Sequence, residues 1–409
     1  MKIIRPGSKQ LEKIYSRGFF KSRRVEERVT KILDDVRLMG DEAVLKYTRK
    51  FDGVKLLPRQ LKVSQTEISG AYQNITPNFV SSLKFIINNI NRFYGKVISK
   101  SKSWRISDSD GLILGEHYSP MERVGVYIPA GTAPLVSTVY MTVLPARIAG
   151  VKRISLISPP DKHGYINPHI LVVADLLKVD DIYRVGGAQG VAALAFGTKT
   201  IPKVDKIVGP GNMYVSEAKR QVFGYVDIDM IAGPTELVII ANRSSDPKFV
   251  IADLKAQAEH AGGLAILITN SKALAKLVES QVGSNGYIIL TKNLKQAAEI
   301  SNRIAPEHLE ILVNNPRQLL KMITNAGAVF LGPFTPTAVG DYVAGPSHVL
   351  PTSGTARFFS GLSVFDFIKS SHIIGYSRKA LEKVKEPLEK IASIEGLASH
   401  LDSVKARFE

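Results

Sequence analysis

Between residues 24 and 50, apolar side chains recur at Val25, Val29, Ile32, Leu33 and Val36, then at Ala43, Val44 and Tyr47. A recurrence of three to four residues marks one face of a helix. The segment 23–50 is therefore expected to form two helices broken near Gly40, with another over about 77–97. From Val124 the pattern changes to short apolar runs alternating with helical stretches. Strands are expected at 124–128, 154–157, 182–185 and 207–208, and helices at 134–148, 167–177, 190–196 and 213–222. This alternation predicts a parallel sheet wrapped by helices. A second round follows, with strands at 237–241, 264–269, 287–290, 309–313 and 328–331 and helices between them, the first at 248–259. After about Phe365 the chain reads as helical and charged, over 381–391 and 397–408.

The expected fold class is α/β: two Rossmann-like units with helical extensions at both ends. The units are incomplete, because no Gly-x-Gly-x-x-Gly dinucleotide fingerprint is present. The expected division is 1–22 as an N-terminal extension, 127–234 as one α/β domain, 23–126 with 235–362 as a larger one, and 363–409 as a tail.

The uncharged stretch 124–146 is interrupted by Gly125, Pro129, Gly131, Pro134 and Pro145, so a strand and a buried helix fit it better than a membrane span. The N-terminus has no apolar signal core. A soluble, cytoplasmic protein is expected, with no membrane partner. The 409 residues carry a net charge of +17 and no cysteine. The charge arises from scattered residues such as Lys50, Lys55, Lys152, Arg153, Lys203 and Lys206. No run of five like charges and no nucleic-acid motif appears, so nucleic acid is not an expected partner. The absence of cysteine excludes disulfides, thiolate metal sites and thiol catalysis.

Four glycine-bearing loops fall at strand-to-helix turns: Pro129-Ala130-Gly131-Thr132, Gly186-Gly187-Ala188-Gln189-Gly190, Gly209-Pro210-Gly211-Asn212 and Ala232-Gly233-Pro234-Thr235. Glycine there is ordinary turn chemistry, but four loops on one expected edge point to a ligand site. Pro306-Glu307-His308-Leu309-Glu310 sets a carboxylate beside an imidazole, the two groups most easily tuned to move protons near neutrality. The same pair could equally end a helix and open a strand. Gln257 and His260, three residues apart on an expected helix, could share a metal ion or form a solvated helix end. Asp341 and His348 lie on a Gly/Pro-rich loop, a frequent place for function. His400, in the tail, reads alone as an exposed helix residue, and His117, His163, His169 and His372 have no polar company.

Taken in order, these segments resemble the histidinol dehydrogenase family. The stretches that carry the resemblance are Val126-Tyr127-Ile128-Pro129, Gly186-Gly187-Ala188-Gln189, Gly209-Pro210-Gly211-Asn212, Gln257-Ala258-Glu259-His260, Ala305-Pro306-Glu307-His308-Leu309-Glu310, Gly340-Asp341-Tyr342, His348-Val349-Leu350-Pro351-Thr352 and Glu395-Gly396-Leu397. The resemblance implies NAD-dependent oxidation of L-histidinol to L-histidine through L-histidinaldehyde, with one zinc ion per site. It implies zinc ligands at Gln257, His260, Asp341 and His400, and acid–base residues at Glu307 and His308. NAD contacts would fall on Tyr127, Gln189 and Asn212. Substrate contacts would fall on Thr235, Gln257, His260, His308, Asp341, His348, Glu395 and His400. It also implies a homodimer whose tails complete each other's sites. Two departures stand out: Thr235, where the family more often has serine, and Ala261-Gly262, where it commonly has Asp-Pro. A zinc hydrolase using the same polar set remains the alternative reading of the residues alone, and an assembly or nucleic-acid protein a more distant one.

Overall fold

The structure is a computed structural model and describes residues 1–18, 22–131, 133–260, 262–283 and 286–409. Thr132 and Ala261 lie outside the described residues. In chain order the strands are β1 (Lys2–Ile4), β2 (Trp104–Ser107), β3 (Ile113–Pro120), β4 (Arg123–Tyr127), β5 (Arg153–Ser158), β6 (Asp181–Arg184) and β7 (Lys206–Val208). They continue with β8 (Asp227–Ile228), β9 (Glu236–Ala241), β10 (Leu264–Thr269), β11 (Tyr287–Leu290), β12 (His308–Leu312), β13 (Ala328–Leu331) and β14 (Ile368–Gly375).

Two parallel sheets dominate. The first has the order β6-β5-β4-β7-β8 and the second β1-β11-β10-β9-β12-β13. Their strands are short and rich in Val, Ile and Leu, as parallel strands covered on both faces must be. β9 and β12 are buried at every position. A third, antiparallel sheet, β14-β3-β2, lies apart from these and is largely exposed.

Helix boundaries follow local chemistry. The long periodic segment divides into helices Arg23–Met39 and Asp41–Asp52 because Gly40 sits at φ +56° between them. Asn167, Asn212, Asp246, Ser271 and Asn293 each cap a helix by accepting a main-chain N–H.

Three expectations need correction. Residues 1–22 are not a mere extension, since β1 pairs in parallel with β11 and forms an edge of the second sheet. Much of 23–126 belongs physically with the first sheet rather than the second. Val29, Ile32, Leu33, Val36, Ala43 and Val44 share a core with Val191, Leu194 and Val215, and β4 is itself a first-sheet strand. The tail is not wholly helical. After a short 3-10 helix, Val364–Phe367, it includes β14, which pairs antiparallel with β3, before helices Arg378–Ile394 and Ala398–Lys405.

Candidate active site

The two acid–base candidates stand at the amino end of the second sheet. Helix Leu294–Ile304 stops at Ala305, which is left-handed at φ +50°, and Pro306 prevents the helix from resuming. The chain then turns through Glu307 into β12, whose first residue is His308. The pair therefore does join a helix to a strand, and it is also buried: Glu307 is 7% and His308 5% exposed.

Both side chains rest on one residue of the neighbouring strand. The Glu236 N–H donates to Glu307 Oε2 at 2.8 Å, and the Glu236 carbonyl lies 3.1 Å from His308 Nδ1. A carbonyl only accepts, so Nδ1 carries the hydrogen, and Nε2 is buried without a hydrogen-bond partner. The Asp341 carboxylate lies 3.4 Å from that Nε2. Burial pushes the Glu307 carboxyl up to about 7, against the lowering effects of His308, the Thr235 hydroxyl and the Glu236 N–H. For His308, burial disfavours the charged ring, but Glu307, Asp341 and the Glu236 carbonyl outweigh it and raise the imidazole to about 9.

Asp341 belongs to the short helix Thr337–Tyr342 rather than to a loop. Its backbone carbonyl accepts from His348 Nδ1 at 3.0 Å, and His348 Nε2 meets the Thr138 hydroxyl at 3.2 Å. Burial holds the His348 imidazole below its ordinary value, which keeps it neutral. Thr138 lies on helix Val136–Ile148, which follows β4, so His348 ties the two main units together. Between them opens a cleft of about 520 Å³ whose walls include Phe93, Tyr94, His308, Asp341, His348 and Ser363.

The cofactor candidates cluster at the other side, at the carboxyl edge of the first sheet. Its strand order reverses between β4 and β7, the place where doubly wound sheets bind ligands. Tyr127 ends β4, and its hydroxyl accepts the Gly187 N–H at 3.1 Å. Gln189 is buried with Oε1 unpaired. Asn212 caps helix Met213–Val222 and is exposed. Gly209 is required at this crossing: at φ +115°, a Cβ there would lie 2.2 Å from the Tyr127 carbonyl oxygen. The fourth glycine loop behaves differently from the other three. Ala232-Gly233-Pro234-Thr235 leads into the amino end of β9, and Gly233 N–H donates to Thr352 Oγ1 at 2.6 Å.

The structure thus brings Glu307, His308, Asp341, His348 and Thr235 together. Gln257 is buried on helix Pro247–Ala258, while His260 lies past the end of that helix and is exposed. Neither is among the cleft walls. Glu395 and His400 are exposed on the tail and are likewise absent from the cleft of their own chain. Among the described residues of one chain, no group of three His, Cys, Asp or Glu side chains forms a metal centre.

Three relevant residues escaped the sequence reading. Glu236 opens an otherwise apolar strand, Thr138 lies beside Ser137 on a mainly apolar helix, and Arg17 lies 219 positions from its partner Glu236. Only the polar interruption at the start of an otherwise apolar strand could have singled out Glu236.

The family model for histidinol dehydrogenase matches residues 16–408. The chain belongs to the histidinol dehydrogenase family. Among its relatives, the histidinol dehydrogenase of Clostridium acetobutylicum is 45% identical, covering 100% of this chain and 99% of that protein. The Listeria innocua protein of the same name is 48% identical over 95% of this chain and 94% of its own length. The crystal structure of histidinol dehydrogenase from Elizabethkingia anophelis superposes with a TM-score of 0.92 at 35% identity, covering 100% of this chain and 98% of that one. The α/β architecture is therefore that of the family. Membership decides for an NAD-dependent oxidoreductase of histidine biosynthesis over a zinc hydrolase or an assembly protein. No helix among the described residues is long and apolar enough to cross a membrane.

Proposed function

We propose that the chain oxidises L-histidinol to L-histidine in two NAD-linked steps through L-histidinaldehyde, with one zinc ion and a residue set shared between two subunits. The carrying observation is the buried Glu307–His308 pair, held by the main-chain N–H and carbonyl of Glu236 at the edge of a cleft that also contains Asp341 and His348.

The fit of a cation rests on two features. His308 Nε2 and the Asp341 carboxylate face each other at 3.4 Å without an aligned hydrogen bond. They are two acceptors in conflict unless Nε2 is protonated. A cation bound by Asp341 relieves the same conflict and frees Nε2 to take a proton. Gln257 is buried with one amide atom unpaired, and an amide turned over presents its oxygen there, a competent ligand atom. Gln257, His260, Asp341 and His400 supply nitrogen and oxygen donors only, which suits zinc. When bound, the ion would supply Lewis-acid anchoring of a substrate nitrogen, and NAD would accept the hydride in each step.

The chain's own residues divide the proton work. His308 takes the hydroxyl proton at Nε2 in the alcohol step. Glu307, whose carboxyl titrates near neutrality, removes a proton from water so that the aldehyde hydrates before its oxidation. No thiol is required, in keeping with the absence of cysteine. Tyr127, Gln189 and Asn212 are assigned to NAD, supported by their position at the switch point of the first sheet. His348 and Thr235 are assigned to substrate along with the ligands.

Glu395 and His400 would complete the site of a second subunit. Helices Arg378–Ile394 and Ala398–Lys405 pack chiefly against each other. Ile374, Ile394, Trp104 and Ile106 leave apolar surface open on the tail and the small sheet. Residues 235–362 are assigned to proton chemistry and metal binding, 127–234 to cofactor binding and 363–409 to the dimerising tail. The enzyme is assigned to the cytoplasm, where NAD is at hand. The test is NADH absorbance on mixing the protein with zinc, NAD and histidinol: two NADH per histidinol are expected, and no NADH formation by zinc-loaded protein would refute the reading.

A further inference from the structure

We infer that the ion pair between Arg17 and Glu236 is a positioning device for both acid–base residues, so that the N-terminal segment is part of the catalytic scaffold. The inference rests on the roles proposed above for Glu307 and His308.

Arg17 follows helix Lys9–Tyr15. Its Nε and Nη2 donate to Glu236 Oε1 and Oε2, both at 2.6 Å, and its Nη1 donates to the Ile14 carbonyl at 2.8 Å. The side chains are only 15% and 6% exposed. A further donor reaches the same carboxylate: the Ser353 N–H lies 3.1 Å from Oε1. Ser353 is left-handed at φ +56°, a conformation that a residue with a Cβ adopts only when its surroundings impose it. Glu236 is thus fixed through its side chain from two directions. Its main chain serves the site, with the N–H on Glu307 and the carbonyl on His308.

The plainer reading is a staple that holds the N-terminal helix to the sheet. A buried ion pair is a poor staple, because removing two charges from water offsets most of their attraction and an apolar pair of similar size commonly serves stability as well. What the two-pronged contact adds is geometry, since the guanidinium fork locks the carboxylate in plane. A shift of Glu236 would move the acceptor for His308 Nδ1–H and the donor to Glu307 together. Displacements of about 1 Å at a reacting group cost on the order of 10²-fold in rate.

The signature is therefore a joint loss in both half-reactions. Arg17→Lys keeps the charge and loses the fork, and Glu236→Gln keeps the shape and loses the charge. In single-turnover assays of histidinol oxidation and of added histidinaldehyde, each variant should lose roughly 10–100-fold in the rate of both steps. KM for histidinol and zinc content should stay within about twofold of wild type on the same argument. An Arg17→Met/Glu236→Met double variant guards against misfolding, because it leaves no unpaired charge. It should unfold near the wild-type midpoint yet be slower than Arg17→Lys in both steps. Full rates in folded single variants, losses confined to KM or zinc content, or losses that only accompany a lowered melting midpoint would each overturn the inference. Glu307→Gln and His308→Asn run alongside separate the two levels. If they split the steps while Arg17→Lys changes nothing, only the positioning role falls. If they split nothing, the underlying reading falls.

Discussion

Glu307 and His308 are neighbours in the chain but face different electrostatic surroundings, and their substitutions should therefore separate the two oxidations. Glu307→Gln should slow oxidation of added histidinaldehyde by about 10²–10⁴-fold while leaving the alcohol step far less affected. His308→Asn should slow the alcohol step by a similar factor. Rapid-mixing assays of each step alone check both, and wild-type rates in either would remove that residue from its role. The pH dependence follows from the raised carboxyl of Glu307. In the proposed role the residue is a base in its ionised form, which predominates above a pKa of about 7. The aldehyde step should therefore rise through pH 7 and level off above it, whereas a limb near the ordinary value of 4.5 would mean that water solvates Glu307. At this scale the sequence exposed the adjacent pair and also Asp341 and His348, since each stands out locally. It could not expose Arg17, Glu236 or Thr138, whose significance lies in contacts across 219, 71 and 210 positions.

Apart from the two-residue β8, which was not expected, the alternation of strands and helices from β4 to β13 was legible because each buried parallel strand is a compact apolar run. The span expected at 264–269 matches β10, and that at 328–331 matches β13. β2, β3 and β14 were not legible. Their residues are largely exposed and mixed in polarity, so antiparallel pairing between distant segments, not local pattern, makes them strands. Two turns allow tests at this scale. Ala305 holds a left-handed conformation that costs roughly 1–2 kcal/mol for a residue with a Cβ. Ala305→Gly should therefore raise the unfolding free energy by about 0.5–1 kcal/mol after the added freedom of the unfolded chain is counted. Urea titration measures the difference, and a loss of stability would contradict it. Gly209→Ala should act oppositely. The clash with the Tyr127 carbonyl must displace the β7 loop at a strain of order 1–3 kcal/mol. NAD affinity should fall about tenfold or more, as read by fluorescence titration, with the zinc content unchanged.

Across the whole molecule, the second sheet's site joins helix Val136–Ile148 of the first unit through His348 and Thr138, and residues distant in sequence line the adjoining cleft. Within one chain that cleft lacks the tail residues Glu395 and His400. Mixing inactive His308→Asn and His400→Ala subunits should accordingly restore activity, since in each heterodimer one composite site carries both defects and the other neither. Up to half of the heterodimer sites should recover, and His400→Ala alone should lose most of its zinc by metal analysis. No recovery after verified subunit exchange would return His400 to its own chain. The placement of β1 has a further consequence for the making of the enzyme. Lys2–Ile4 pair with residues 287–289, so during synthesis β1 waits for β11 to emerge before it finds its place in the sheet. Arg17, on the segment that follows, waits with it for β9 and its Glu236. A strand made early is then among the last to be docked, and a polypeptide cut short in translation before β11 would have no strand against which to dock β1.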